Sequence, residues 1–276
     1  MTYKIISDSS ADLSFLPDVA FTSVPLRIVA GEREFTDNAE LNGEEMLAFV
    51  ERHKGKSGSA CPGVGDWREA FGEAENIFCV TITSNLSGSY NSASVAVSEH
   101  LEEHPDRNAY VFDTLSTGPE SALLIEKLRL WILEGISFNE IKERATEYLR
   151  HTHLLFSLES LRNLANNGRV SPVVAKFAGL FGIRIVGKAS DQGTLEVTDK
   201  ARGEKGALDA IIKNMKKCGY TGGRVRIHHC RNQRAANALK EKLTSFFPAA
   251  DILISVTGGL CSFYAERGGM ILGFEI

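Results

Sequence analysis

The chain has 276 residues, 43% hydrophobic and 24% charged, enough to bury one large core or two ordinary ones and too apolar for a disordered protein. A formal net charge of −4 excludes a general nucleic-acid binder, which needs a dominant basic surface to neutralise phosphates. No apolar run approaches the roughly 20 residues that span a bilayer, and no basic segment followed by an apolar one opens the chain, so a soluble cytoplasmic protein without an integral membrane segment is expected.

Tyr3 to Ser7 reads as a first strand. Asp8-Ser9-Ser10-Ala11-Asp12-Leu13 then forms a strand-to-helix turn in which Asp8 caps or fixes neighbouring loop amides. Thr22 to Val29 reads as the second strand. The small-residue stretch Ser57-Gly58-Ser59-Ala60-Cys61-Pro62-Gly63-Val64-Gly65-Asp66-Trp67 reads as a loop ending in an N-cap Asp66 and a helix. Ile77 to Thr83 is a strand too apolar for a sheet with one wet face. It leads straight into Thr83-Ser84-Asn85-Leu86-Ser87-Gly88-Ser89-Tyr90-Asn91-Ser92-Ala93 and a helical run through Val97 and Leu101.

Ala109 to Asp113 is the next strand. Leu123, Leu124, Leu128, Trp131 and Ile132 form a broad apolar helix face that Gly135 ends, after which Ser137 caps a helix with Glu140 at the capping-box position. The pattern changes near Arg150 to His153. Beyond it, strands are expected at His153 to Ser157, Ile183 to Val186, Thr194 to Thr198, Arg224 to His229, Ile252 to Val256 and Met270 to Glu275, with Gly193 in a hairpin turn. Ala207, Ile211 and Met215, and again Ala235, Leu239, Leu243 and Phe246, repeat at helical spacing. This alternation predicts an α/β protein of two lobes: residues 1–151 around a mostly parallel sheet, and residues 152–276 as a smaller α+β lobe.

The Ser-rich turn is the most informative segment for function. It lies at the carboxyl end of a strand and the start of a helix, where ligands of open α/β sheets sit. Free amides and the helix dipole favour a carboxylate or phosphate there, and Ser84 and Ser87 supply hydroxyl donors. Ser59, in the glycine-bearing loop upstream, is placed to add another. Ser and Asn are also favoured N-caps, so a plain capping role stays open.

Other chemistries find no support. A hydrolase elbow needs a glycine two residues on each side of its serine, and neither Ser84 nor Ser87 has that. His228 and His229 fall in one strand, where alternation sends them to opposite faces. Cys61, Cys79, Cys218, Cys230 and Cys261 are scattered and form no C-x-x-C pair, which argues against a disulfide framework or a zinc site. Neither a dinucleotide fingerprint nor a P-loop occurs, so no metal and no cofactor are expected.

These segments, in this order, resemble the DegV family, bacterial fatty-acid-binding proteins that serve as carrier subunits of fatty acid kinase. The resemblance covers essentially the whole chain. It rests on Asp8 to Leu13, Val24-Pro25-Leu26, the loop around Ser59 and Pro62, and above all Leu86 to Ala93. Phe112-Asp113-Thr114, Leu161-Arg162-Asn163-Leu164 to Gly168-Arg169-Val170, Arg202, and Gly268 to Phe274 add to it.

The resemblance implies two α/β lobes around a buried acyl chain. It places the carboxylate-binding hydroxyls on Ser59, where a Thr is more usual, and on Ser84, with Ser87 and Gly88 shaping the anion turn. A head-group histidine of the family aligns with Tyr264, whose hydroxyl donates but carries no charge. It also implies a long-chain fatty acid as ligand, no catalysis by this chain, and a separate fatty acid kinase as partner, with Arg169 and Arg202 at positions that face that partner or support its docking. A serine esterase or acyl transferase, or a sensor of another small anion, are the rival readings.

Overall fold

The computed structural model describes residues 2–171, 174 and 182–276. Four strands, β1 (Tyr3–Asp8), β2 (Ala20–Val24), β6 (Asn76–Thr81) and β7 (Asn108–Asp113), form the first sheet in the order β2-β1-β6-β7. Every pair in it is parallel. All six residues of β6 are buried because helices cover both faces. Ile77 and Cys79 pack on one side against α2 (Val64–Phe71) and α3 (Ser89–Glu103). Phe78 and Val80 pack on the other, against α4 (Gly118–Leu133) and α5 (Phe138–Tyr148).

The strand expected over Thr22 to Val29 is in fact two. Pro25 has no N–H to continue a ladder, and β2 stops before it. Leu26 then gives its amide to Ser9 Oγ at 3.0 Å, and β3 (Arg27–Ala30) starts a separate sheet. That sheet is antiparallel, with β4 (Arg33–Thr36) and β5 (Ser57–Ala60) on either side of β3. The stretch Ser57 to Ala60, read as loop for want of β-branched residues, is extended because β3 pairs with it.

Two capping expectations also change. α2 begins at Val64 with Gly63 as its N-cap, and Asp66, three residues in, accepts the Gly63 amide at 2.8 Å. A carboxylate at that position reaches back to the cap, so Asp66 is the partner of the cap and not the cap itself. Ser137 does stand at the N-cap of α5 but makes no side-chain bond there, and Glu140 pairs with Arg144 at 2.5 Å instead. At the end of α4 Gly135 adopts φ +75°, with Ile136 N–H reaching Trp131 O and Gly135 N–H reaching Ile132 O, the paired bonds that close a helix on a left-handed residue.

Residues 152–276 supply a six-stranded sheet of order β10-β9-β8-β13-β11-β12. Its strands are β8 (Thr152–Leu158), β9 (Ile183–Ala189), β10 (Leu195–Arg202), β11 (Arg224–His229), β12 (Asp251–Val256) and β13 (Met270–Glu275). Only β11 and β12 run parallel. Gly193, at φ +70°, turns the β9–β10 hairpin. Leu155, Val225, Leu272 and Phe274 face α7 (Gly203–Lys217) and α8 (Gln233–Phe246).

The opposite face of this sheet meets the N-terminal half. The first turn of α4 lies against β13, and a Cβ on Gly273 would come 2.6 Å from the Pro119 carbonyl carbon. Only a glycine permits that approach. In the same interface Arg226 of β11 grips Glu126 of α4 with bonds of 2.7 and 2.6 Å. The half with fewer residues therefore carries the larger sheet, and α4 is packed on both.

Candidate functional site

A mostly apolar cavity lies over the N-terminal-facing side of the six-stranded sheet, with about 670 Å³ of empty space when the open solvent at its mouth is included. Two periodicities build its walls. Leu154, Phe156 and Leu158 alternate along β8 and share one face, so all three line it, with Ile271 from β13 beside them. Across from them α9 (Gly259–Ala265) turns Leu260 and Tyr264, four residues apart, toward the same space, together with Cys261 and Ala265. Leu26, just past the sheet switch at Pro25, and Ile82, just past β6, add to the apolar lining, as do Leu86, Leu164 and Leu195.

A few polar groups interrupt this lining. Ser59 Oγ, on β5, lies 2.8 Å from Tyr264 Oη, and both line the cavity. Ser87 lines it too, its amide bonded to Thr83 O at 3.2 Å and its hydroxyl accepting the Ser89 amide at 3.3 Å. Gly88 is the N-cap of α3, and a Cβ there would come 3.1 Å from Cys61 Sγ, so a bare backbone lets the Ser-rich turn approach the strand that carries Ser59. Arg169 also lines the cavity, its guanidinium held by Asn167 O at 2.7 Å.

Ser84 takes a different place. It is exposed, outside the lining, and its amide donates to Asp113 Oδ1 at 3.1 Å. The structure thus places Ser59, Ser87 and Tyr264 on the lining of one cavity, with Gly88 next to Ser87, and leaves Ser84 exposed outside it.

Buried carboxylates brace these elements from behind. Asp8 accepts the Ile82 amide at 3.0 Å and the Ser89 hydroxyl at 2.5 Å, tying β1 to both ends of the Ser-rich turn. Burial raises its pKa, and the bonds from Ser10, Ser89 and Ile82 oppose that rise. Asp37 accepts the amides of Gly259 and Leu260 at 2.6 and 2.9 Å and is pushed up to about 6 by burial, with Asp12 adding to the rise and the Leu260 amide opposing it. The Cys261 thiol, fully enclosed, is raised well above its ordinary value by burial.

His228 and His229 do face opposite ways. His228 Nδ1 meets Asp12 Oδ2 at 2.9 Å, and His229 Nε2 meets Gln233 Oε1 at 2.9 Å. Both rings are buried and hydrogen-bonded, and neither approaches a cavity-lining serine by any bond. Among the described residues no three His, Cys, Asp or Glu side chains are arranged to hold a metal ion. Nor, among them, is any helix long and apolar enough to cross a membrane.

Sequence reasoning missed Asp37, Thr117 and most of the lining. Asp37 sits in Thr36-Asp37-Asn38, a polar stretch with no periodicity, and its partners lie more than 200 positions away. Thr117, the N-cap of α4, lines the cavity without making a side-chain cap bond. A Thr before Gly-Pro at a helix start carries a capping signal that, used, would have put attention there.

A family model described as "Uncharacterised protein, DegV family" matches residues 2–275. A DegV domain-containing protein of Streptococcus pneumoniae is 46% identical over the full length of both chains. The crystal structure of the Streptococcus pneumoniae Fatty Acid Kinase (Fak) B3 protein, loaded with linoleic acid, is 46% identical, superposes with a TM-score of 0.98 and covers 100% of each chain. A DegV family protein from Eubacterium eligens, loaded with heptadecanoic acid, is 43% identical, with a TM-score of 0.97 over 99% of each chain. With its fold and its whole length matched, the chain belongs to the DegV family.

Proposed function

We propose that this chain holds one long-chain fatty acid, acyl chain in the cavity and carboxylate at the Ser59–Tyr264 end, and presents that head group to a separate fatty acid kinase without catalysing a step itself. The observation that carries the reading is the union of a mostly apolar cavity with a hydroxyl pair in its lining. Relatives that share 43% and 46% of their residues with this chain were crystallised with fatty acids. The first of the two is a DegV family protein and the second a component of a fatty acid kinase by name.

The physics favours an acid with a long tail. At about 0.8 kcal/mol per buried methylene, a sixteen-carbon chain contributes on the order of 11 kcal/mol before ordering costs. The head group then needs only to set direction. Hydrogen bonds to a charged acceptor, at roughly 1.5 to 3 kcal/mol each, offset part of the carboxylate's desolvation and disfavour the reversed pose. In this reading Ser87 takes the contact that the family pattern assigns to Ser84, while Ser84 and Gly88 shape the turn.

Extraction of the purified protein into organic solvent, followed by mass spectrometry, tests this directly. A stoichiometric long-chain fatty acid is expected. Protein that is lipid-free and also rejects added fatty acid would refute the reading.

A further inference from the structure

Two buried carboxylates sit behind the cavity at one backbone turn. Asp12 Oδ1 accepts the Gly258 amide at 2.8 Å, and Asp37 takes the next two amides, Gly259 and Leu260. A Cβ on Gly258 would lie 2.8 Å from Asp12 Oδ1 and 3.4 Å from Asp37 Oδ1, so both acids crowd the same peptide. Asp37 is 5% exposed and the Asp12 side chain is fully enclosed.

Stability is a poor reason for such a pair. Withdrawing a carboxylate from water costs several kcal/mol, and a like charge nearby adds to the cost. A Ser or Asn caps a helix without either penalty. What the pair secures is a location. α9 starts at the capped amides, and one turn later it offers Tyr264 to Ser59. The Asp37 backbone amide also donates to Leu26 O at 2.9 Å, and Leu26 lines the facing wall. One residue thereby ties α9 to the wall opposite it.

We propose that Asp37 is a positioning residue for the head group: by holding the amides of Gly259 and Leu260 it sets where α9 places the Tyr264 hydroxyl relative to Ser59. The inference rests on the fatty-acid reading above. Asp37 does not line the cavity and acts only through the helix. The leverage is geometric, since a displacement of about 1 Å takes a hydroxyl out of hydrogen-bond range of a carboxylate.

The test compares a long-chain fatty acid with its methyl ester, which keeps the chain but cannot present a carboxylate. Dissociation constants come from displacement of a fluorescent fatty acid, for the wild type, Tyr264→Phe, Asp37→Asn, Asp37→Glu and the Asp37→Asn/Tyr264→Phe double variant. Asn keeps one acceptor but turns a donor toward the other amide, whereas Glu keeps both oxygens on a longer stem.

Each Asp37 variant is expected to lose about tenfold of the acid-over-ester preference, with ester affinity within about twofold of wild type. The double variant should lose no more than Tyr264→Phe alone, because both changes act on one hydroxyl. An unchanged preference, additive losses, equal weakening of acid and ester, or failure of both Asp37 variants to fold would each overturn the proposal. A wild type that binds neither ligand, or binds acid and ester alike, instead removes the fatty-acid reading on which it stands.

Discussion

Ser59 Oγ and Tyr264 Oη lie 2.8 Å apart in the lining of the cavity, although 205 positions separate them in the chain. Each hydroxyl both donates and accepts, so the pair satisfies itself and can turn its protons toward an arriving carboxylate. Removing the Tyr264 hydroxyl leaves Ser59 as the lone donor of the pair. Tyr264→Phe is expected to weaken fatty-acid binding about tenfold, with the melting temperature within a degree or two of wild type. A displacement titration beside a thermal melt checks both, and unchanged affinity would remove Tyr264 from the head-group site.

Phe156 and Gly187 face each other across β8 and β9. A Cβ on Gly187 would come 2.7 Å from Phe156 Cε2 and would also press on the Glu196 backbone carbonyl, so the ring on one side and β10 on another crowd the glycine. Phe156 also lines the cavity, so a methyl group at position 187 drives its ring into the ligand's space. Gly187→Ala is expected to lower affinity for an eighteen-carbon acid more than for a twelve-carbon one, at a stability cost of about 1–3 kcal/mol. Equal affinity changes for the two acids would show that the ring finds room elsewhere.

Glu120 is buried at the start of α4, where Ser116 and Thr152 hydroxyls both donate to it. Burial lifts its pKa from the ordinary 4.5 to about 7, against the pull of those two bonds. A carboxyl raised on folding binds its proton more tightly in the folded chain, so its stability contribution is intact below 4.5 and is lost as the pH rises through 7. Glu120→Gln mimics the neutral acid. It is expected to change stability little at pH 4.5 and to raise it at pH 8, by on the order of 3 kcal/mol. Urea unfolding at the two pH values measures the difference, and a pH-independent effect would contradict the assignment.

Arg226 and Glu126 join the two halves of the molecule with two short bonds, and Asp251 adds a third at 3.0 Å. The Arg226 side chain is almost wholly buried, so removing its main partner leaves a poorly solvated cation. Glu126→Ala is expected to destabilise the fold by about 2–3 kcal/mol, below the usual cost of orphaning a buried charge because Asp251 remains. Replacing Arg226 and Glu126 together by apolar residues of similar size should recover much of that loss. Denaturant melts of both variants decide it.

Much of the architecture is legible along the chain. Ile77 to Thr83 and His153 to Ser157 announce buried strands by unbroken apolar runs, and Gly135 and Gly193 mark their turns because a left-handed φ has few other tenants. The Ser-rich turn is equally visible, as its residue types and its place after a strand both point to an anion. The limits are just as physical. Ser57 to Ala60 has no intrinsic preference for a strand and becomes one only through β3, and Pro25 divides what periodicity alone would join.

Local sequence therefore determined what most segments are, Ser57 to Ala60 and the break at Pro25 excepted, and which turn carries the hydroxyls. It could not determine which hydroxyls meet. Ser84 and Ser87 are indistinguishable as side chains, and only the turn bonds of Thr83 and Asp113 send one outward and the other to the cavity. Ser59, Tyr264 and Asp37 come together through contacts spanning more than 200 residues, and those depend on how sheets and α9 pack. Propensity is a property of neighbours in the chain, whereas a binding site is a property of neighbours in space.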